Sequence, residues 1–353
     1  MKCPRCNRFF QEGFKFCPYD GAEVQERVSL SAYRSESTKT GDTILADRYR
    51  VRGFIGKGAM ARVYLAEDAN TGAAVAIKVL EDPYRKDANV RARFMREARS
   101  ASLIGHPSIV RVFETGEREE DGAPFLVMEF LLGESVGAFL RREGKMKPEL
   151  ALPAFRQAAS ALSAAHRVGI IHRDIKPDNL FLIGEPGDPY ELKVVDFGLS
   201  REPTSNLTAA GIVLGTPAYM APEQVATEPV DARTDVYALG MVMYRALAGR
   251  GPFEDDDEVA TMAHQIFTAP PPPSKFVRDL DPWLEAVLLR AMRKDPNERY
   301  PKMDALVDDL NLVGSGRPPR APSVLAPEKP FIASTVLGGL IAKSIGRTIG
   351  RDP

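Results

Sequence analysis

The chain has 353 residues, a formal net charge of -1, 44% hydrophobic residues and 27% charged ones. That balance suits a soluble globular protein long enough for two lobes and small appendages, and the near-neutral charge gives no support to a nucleic-acid binder. Three cysteines are too few for a disulfide framework and fit a reducing cytoplasm, the first residues carry no apolar signal segment, and no run reaches the ~18 apolar residues of a membrane span.

All three cysteines fall within the first 17 residues. Cys3-Pro4-Arg5-Cys6 and Cys17-Pro18-Tyr19-Asp20 share one pattern, each followed by a residue tolerant of positive φ, Asn7 or Gly21. The two turns resemble the halves of a zinc ribbon, with Asp20 where a fourth cysteine usually stands. An aspartate oxygen can ligate zinc, so the resemblance implies a structural Zn2+ held by Cys3, Cys6, Cys17 and Asp20. Phe9, Phe10, Phe14 and Phe16 would pack around it, since a unit of ~24 residues has too little core to fold without metal. The alternative is a degenerate ribbon that has lost its metal. Residues 1–24 are read as this module and 25–46 as a flexible linker, rich in Ser, Thr and charge.

Farther along, Gly56-Lys57-Gly58-Ala59-Met60-Ala61 precedes Arg62-Val63. Glycines let a backbone approach a phosphate closely because they lack a Cβ. Val75-Ala76-Ile77-Lys78 reads as a strand ending on a lysine, and Glu97 lies in the helical stretch 93–98. Phe125-Leu126-Val127-Met128-Glu129-Phe130 is an apolar strand. His172-Arg173-Asp174-Ile175-Lys176-Pro177-Asp178-Asn179 gathers a carboxylate, an ammonium and an amide in one short loop. Asp196-Phe197-Gly198 follows, then Gly215-Thr216-Pro217 and Ala221-Pro222-Glu223. From Asp235 to Leu247 the chain is apolar nearly all round, as a buried central helix would be, and Arg299 closes the series. Pro270 to Pro273 reads as an ordered loop between helices.

In this order the motifs resemble those of the protein kinase family, from roughly residue 47 to 313. The resemblance implies an α+β, bilobal fold, with an antiparallel sheet and helix C in the N-lobe, a helical C-lobe and ATP in the cleft. It implies an ATP site formed by Ile55, Gly56, Lys57, Gly58, Ala59, Val63, Ala76 and Lys78, with Met128 as gatekeeper and backbone groups around Glu129 and Leu131 meeting the adenine. Ala61 replaces the family's third glycine, a mild departure that should spare ATP binding. Lys78, partnered by Glu97, would hold the α- and β-phosphates. Asp174 would orient the acceptor hydroxyl, Lys176 would sit near the transferring phosphate, and Asn179 and Asp196 would bind Mg2+ or Mn2+. Arg299 would pair with Glu223 in a structural role.

Lys176 two residues after Asp174, together with Gly215-Thr216-Pro217, resembles the serine/threonine branch, and the sequence around both glycine loop and Ala221-Pro222-Glu223 resembles its bacterial members. Thr216 would hydrogen-bond near Asp174 and Lys176. Arg173 and Arg201 would receive a phosphate placed on Thr208, with Thr204 and Ser205 as minor sites, because paired guanidinium groups order a phosphorylated loop. Activation in trans would require transient homodimers; the remaining partners would be protein substrates. The rival reading is a pseudokinase-type scaffold that binds partners through ribbon and tail. It predicts missing catalytic residues, whereas Lys78, Glu97, Asp174, Asn179 and Asp196 are all present.

Residues 314–330 read as a Pro/Gly-rich linker. In 331–353, Leu337, Ile341, Ile345 and Ile349 recur every four residues, with Lys343, Arg347 and Arg351 at the same spacing. This basic amphipathic tail fits peripheral contact with a membrane surface or a partner groove. Glycines at 338, 339, 346 and 350 weaken any helix there by ~1 kcal/mol each relative to alanine.

Overall fold

The computed structural model describes residues 44–45, 47–58, 60–184, 189–197, 216–253, 257–322, 329 and 331–333. The ribbon-like module, Ala59, Arg201, Thr204, Ser205, Thr208 and the amphipathic tail beyond 333 lie outside the described residues, as does the side chain of Glu97. The chain divides into two units: the described parts of Met1–Gly133, Ile183–Asp188 and Val195–Leu199 form the first, and those of Glu134–Leu182, Pro189–Val194 and Ser200–Pro353 the second.

The first unit is a six-stranded antiparallel sheet with one long helix. Its strands are β1 (Ile44–Leu45), β2 (Tyr49–Lys57), β3 (Ala61–Asp68), β4 (Ala74–Leu80), β5 (Val112–Glu117) and β6 (Pro124–Glu129), in the order β1-β2-β3-β4-β6-β5. Strand side chains alternate between faces, and β4 uses both. Val75, Ile77 and Val79 join Leu45, Tyr49, Ala66, Phe125 and Val127 in one core. Leu80, on the other face, packs with Ala61, Phe94, Ala98 and Leu126. Phe94 and Ala98 come from α1 (Ala88–Ile104), which therefore covers that second face. The Asp87 carboxylate caps its start by accepting from Asn89 N and Val90 N, and Gly105, at φ 58°, ends it in the left-handed conformation that glycine tolerates.

The second unit is mainly helical. It contains α2 (Val136–Glu143), α3 (Pro148–Arg167), the short α4 (Pro222–Val225), α5 (Ala232–Ala248), α6 (Glu258–Phe267), α7 (Pro282–Ala291) and α8 (Met303–Gly314). A three-stranded sheet, β7 (Gly133–Ser135), β8 (Leu180–Ile183) and β9 (Glu191–Val194), accompanies them. As the sequence predicts, α5 is the buried centre: Thr234 to Tyr244 is buried without a break. Gly240 shows how tightly it is packed, because a Cβ there would come within 2.9 Å of Met292 Cγ and 3.1 Å of Ala291 Cβ. Among the described residues no helix is long and apolar enough to cross a membrane.

After α8, Arg320 and Ala321 are tied back to that helix. Arg320 N and Ala321 N donate to the two carboxylate oxygens of Asp309 at 2.8 and 2.9 Å, and Tyr300 OH donates to the same group at 2.8 Å. Proline and glycine content signalled a linker; the buried Asp309 that collects these donors lies within α8, where sequence alone gives it no distinguishing mark.

Candidate active site

In the first unit the glycine-rich segment is the hairpin between β2 and β3. Gly58 N donates to Ala61 O at 2.8 Å, and Gly56 and Lys57 lie opposite Val63 and Arg62. Ile55 is partly exposed beside it. Ala61 is 4% exposed, and its methyl belongs to the core shared with Leu80, Phe94, Ala98 and Leu126. The departure from glycine is thus absorbed by apolar packing rather than projected from the hairpin.

Val63 lies opposite Lys78, which lies opposite Leu126 on β6. This central position buries the lysine to 6% exposure. An ammonium so far from water needs an opposite charge, and Lys78 Nζ lies 2.8 Å from Asp196 Oδ1. Asp196 adopts φ 61°, a left-handed conformation costly for a residue with a side chain. The two residues predicted to meet phosphates and metal are therefore brought together. Glu97 lies in α1 as predicted.

Ala76 is buried opposite Met128. At the next position Glu129 N donates to Arg111 O at 2.9 Å, while Arg111 N donates to Glu129 Oε1 at 2.7 Å. The Glu129 N–H is thus committed to the protein. Leu131, the other position predicted to meet adenine, is half-buried.

In the second unit the loop 172–179 is fastened at both ends. Lys176 Nζ donates to Asp174 Oδ2 at 2.8 Å. Asn179 Nδ2 donates to Asp174 O at 2.8 Å and approaches Asp174 Oδ2 at 3.3 Å. Pro177–Asn179 forms one tight turn that brings the amide back over the carboxylate. Asp174 N donates to His172 Nδ1 at 3.3 Å. The acid, ammonium and amide read from the sequence thus form one hydrogen-bonded cluster.

Below this cluster lies Asp235, fully buried near the start of α5. Its carboxylate accepts from His172 N at 2.8 Å and Arg173 N at 2.7 Å, and His166 Nε2 lies 2.7 Å away. Burial pushes its acidity down, but the His166 hydrogen bond and the other donors outweigh burial and hold the carboxyl below its ordinary value. The clamp supports Arg173 at φ 64°. Gln224 adds a second tie: its Nε2 donates to Arg173 O at 2.8 Å, while its Oε1 accepts from Ala221 N at 3.0 Å. Neither role was read from the sequence. A charge inside an otherwise apolar helix was the available signal for Asp235; Gln224 carried none.

Arg299 and Glu223 make the predicted pair in bidentate form, at 2.7 Å for each nitrogen. Arg299 also donates to Arg293 O, Lys294 O and Arg233 O, and Thr234 Oγ1 donates to Glu223 Oε1 at 2.8 Å. Thr216 is exposed at the start of the turn Pro217–Tyr219, its carbonyl accepts from Tyr219 N, and its hydroxyl bonds neither Asp174 nor Lys176. The turn itself is held elsewhere, by Gln265 Nε2 donating to Ala218 O at 2.9 Å and Pro217 O at 3.2 Å.

Each unit carries a hard oxygen donor of the kind that Mg2+ takes alongside phosphate, the Asp196 carboxylate in the first and the Asn179 amide in the second. Asn179 spends its amide nitrogen on Asp174, which assigns its oxygen as the atom available to metal.

Comparison with known proteins agrees with this geometry. Residues 49–310 match the protein kinase domain family. The chain is 38% identical over 302 residues to the serine/threonine-protein kinase PknB of Mycobacterium tuberculosis, covering 84% of this chain and 48% of that protein. It is 39% identical over 303 residues to a probable serine/threonine-protein kinase of Corynebacterium efficiens, covering 83% and 45%. A crystal structure of the M. tuberculosis PknI kinase domain superposes with a TM-score of 0.62 at 28% identity, covering 79% of this chain and all of that one. The chain belongs to the protein kinase family and resembles its bacterial serine/threonine members of PknB type. It spans about half the length of the curated relatives it matches.

Proposed function

We propose that the chain transfers the γ-phosphoryl group of ATP to serine and threonine hydroxyls of proteins. The observation that carries this reading is the Asp174 cluster, in which Lys176 and Asn179 both reach the same carboxylate. A serine hydroxyl is barely acidic at neutral pH, so Asp174 orients it and takes its proton late. Lys176 offsets charge on the transferring group. ATP with Mg2+ supplies the phosphoryl group and neutralises it; Asn179 and Asp196 would hold the metal, and Lys78 the phosphates. Positioning and charge stabilisation suffice, because the transition state of phosphoryl transfer is loose and asks little covalent chemistry of the protein. Lys176 and Gly215-Thr216-Pro217 favour serine and threonine over tyrosine.

Further parts of the reading rest on sequence. Thr208 is the proposed autophosphorylation site, answered by Arg173 and Arg201 and reached through transient homodimers. Cys3, Cys6, Cys17 and Asp20 are the proposed ligands of a structural zinc, and the cytoplasm is the proposed compartment. Zinc measured on purified protein, with and without Cys17→Ser, tests the metal assignment.

The test of the central reading is incubation of wild type and Asp174→Asn with ATP and Mg2+, with phosphosites mapped by mass spectrometry. The variant should retain nucleotide binding and lose at least ~100-fold in turnover, the usual lower range for a positioned acid–base group. Phosphate at Thr208 in the wild type alone supports both the kinase and its switch. Equal turnover in the two proteins removes Asp174 from its role; nucleotide binding with no transfer in either shifts the reading to a binding scaffold.

A further inference from the structure

Lys329 and Phe331 both meet the helical unit. Phe331 is only 8% exposed, seated among Val225 and Ala226 at the end of α4 and Met262 and Ile266 of α6, with Met220 and Phe267 on the rim. Its backbone N–H donates to Ile266 O at 3.2 Å. Two residues earlier, Lys329 Nζ lies 3.5 Å from Glu298 Oε1, and one residue later Ile332 is 84% exposed. Among the described residues the attachment is one aromatic ring in an apolar groove with Ala333 packed beside it, one backbone bond that any residue could make, and one partly exposed ion pair, the kind that contributes little. The ring is its largest buried side chain.

The groove also adjoins the turn Pro217–Tyr219. Gln265, beside Ile266 on α6, holds the carbonyls of Pro217 and Ala218. A polypeptide anchored on Met262 and Ile266 would therefore lie next to the turn before Ala221-Pro222-Glu223.

We propose that the groove between α4 and α6 is a docking site for extended, aromatic-anchored segments of protein substrates, and that the Phe331 ring occupies it in cis. The chain's own tail and an incoming substrate compete for the same ring pocket. This deepens the kinase reading and rests on it for the word substrate, though the binding itself does not.

The binding test uses a fluorescein-labelled peptide of residues 327–335 and the 353-residue chain, read by anisotropy. Wild type should bind weakly, because its pocket is filled. Phe331→Ala should bind about ten-fold tighter, as expected if the competent fraction rises from roughly a tenth to near unity. Adding Met262→Lys to Phe331→Ala should abolish the gain, and Ile332→Ala should behave as wild type. Equal binding to wild type and Phe331→Ala, or no binding to either, overturns the proposal, with matched melting curves showing that both are folded. The kinetic arm compares one acceptor peptide with and without 327–335 appended. Phe331→Ala should show a several-fold lower KM for the appended peptide, and wild type no difference. Binding without any effect on KM overturns the substrate role. Failure of wild type and Phe331→Ala to phosphorylate either peptide, with binding intact, overturns the kinase reading instead.

Discussion

Two ion pairs, Lys78–Asp196 in the strand-rich unit and Glu223–Arg299 in the helical unit, share nearly the same nitrogen–oxygen distance, 2.8 and 2.7 Å. Their surroundings differ. Asp196 keeps 32% of its side chain exposed and sits in a strained left-handed conformation. Glu223 keeps 5% of its side chain exposed, Arg299 none, and carbonyls and a hydroxyl satisfy what the pair leaves over. A pair open on one side can trade its partner for a ligand. A pair closed on every side can only hold the fold. The same contrast runs through each unit: the first sets Lys78 beside a partly exposed Asp196, and the second ties its loop 172–179 to fixed charges such as Asp235.

The largest effect should follow from breaking the closed pair. Glu223→Ala leaves Arg299 buried and without its carboxylate, which costs about 3–5 kcal/mol for pairs of this kind. Denaturant melts should show the helical unit unfolding at much lower urea, with activity lost as a consequence. The pair also sets an acid limit. Burial alone would raise the Glu223 carboxyl, but Arg299 and Thr234 outweigh it and hold it below its ordinary value of 4.5. A depressed folded-state value means the contribution is complete above 4.5 and is lost as pH falls through the lower folded value. Wild type should therefore destabilise steeply at the acid end, and Glu223→Gln should start less stable and show a shallower acid slope.

Lys78→Met should invert that outcome. The methionine fills the same buried space, and Asp196 can turn to water through its exposed side. Stability should change by no more than ~1 kcal/mol, the scale of a partly exposed pair, while nucleotide binding and turnover collapse. If Lys78→Met unfolds the protein as Glu223→Ala does, the two pairs are equivalent and the open-versus-closed distinction fails.

Much of this was legible in the sequence because kinase chemistry concentrates its signals locally. Asp174, Lys176 and Asn179 lie within one loop, so spacing alone brings them together, and the tight turn at Pro177–Asn179 does the rest. Lys78 and Asp196 are 118 residues apart; resemblance gave one to the phosphates and the other to the metal, and did not pair them. Asp235 clamps a loop 62 residues upstream through backbone N–H groups, which leave no trace in side-chain identity. Gln224 acts the same way, toward Arg173 O. The motif around Thr216 marks a turn, while Gln265, far along the chain, decides where that turn is held. Phe331 stood at the head of a tail whose periodic pattern drew attention to later residues, yet one aromatic ring ahead of the pattern makes the contact.

The smallest effect should come from restoring the family's glycine at Ala61. The hairpin closes through the Ala61 carbonyl, which glycine also has, so the Gly58–Ala61 bond would survive. The methyl, however, is buried against Leu80, Phe94 and Leu126. Ala61→Gly removes that apolar contact and adds backbone freedom to the unfolded chain, each costing up to about 1 kcal/mol. The first unit should melt a few degrees lower, with KM for ATP unchanged. A large fall in KM with no loss of stability would mean that the methyl crowds the nucleotide rather than filling the core. In that case the hairpin would belong with the open, ligand-adjustable features of its unit and not with the packed interior that its burial indicates.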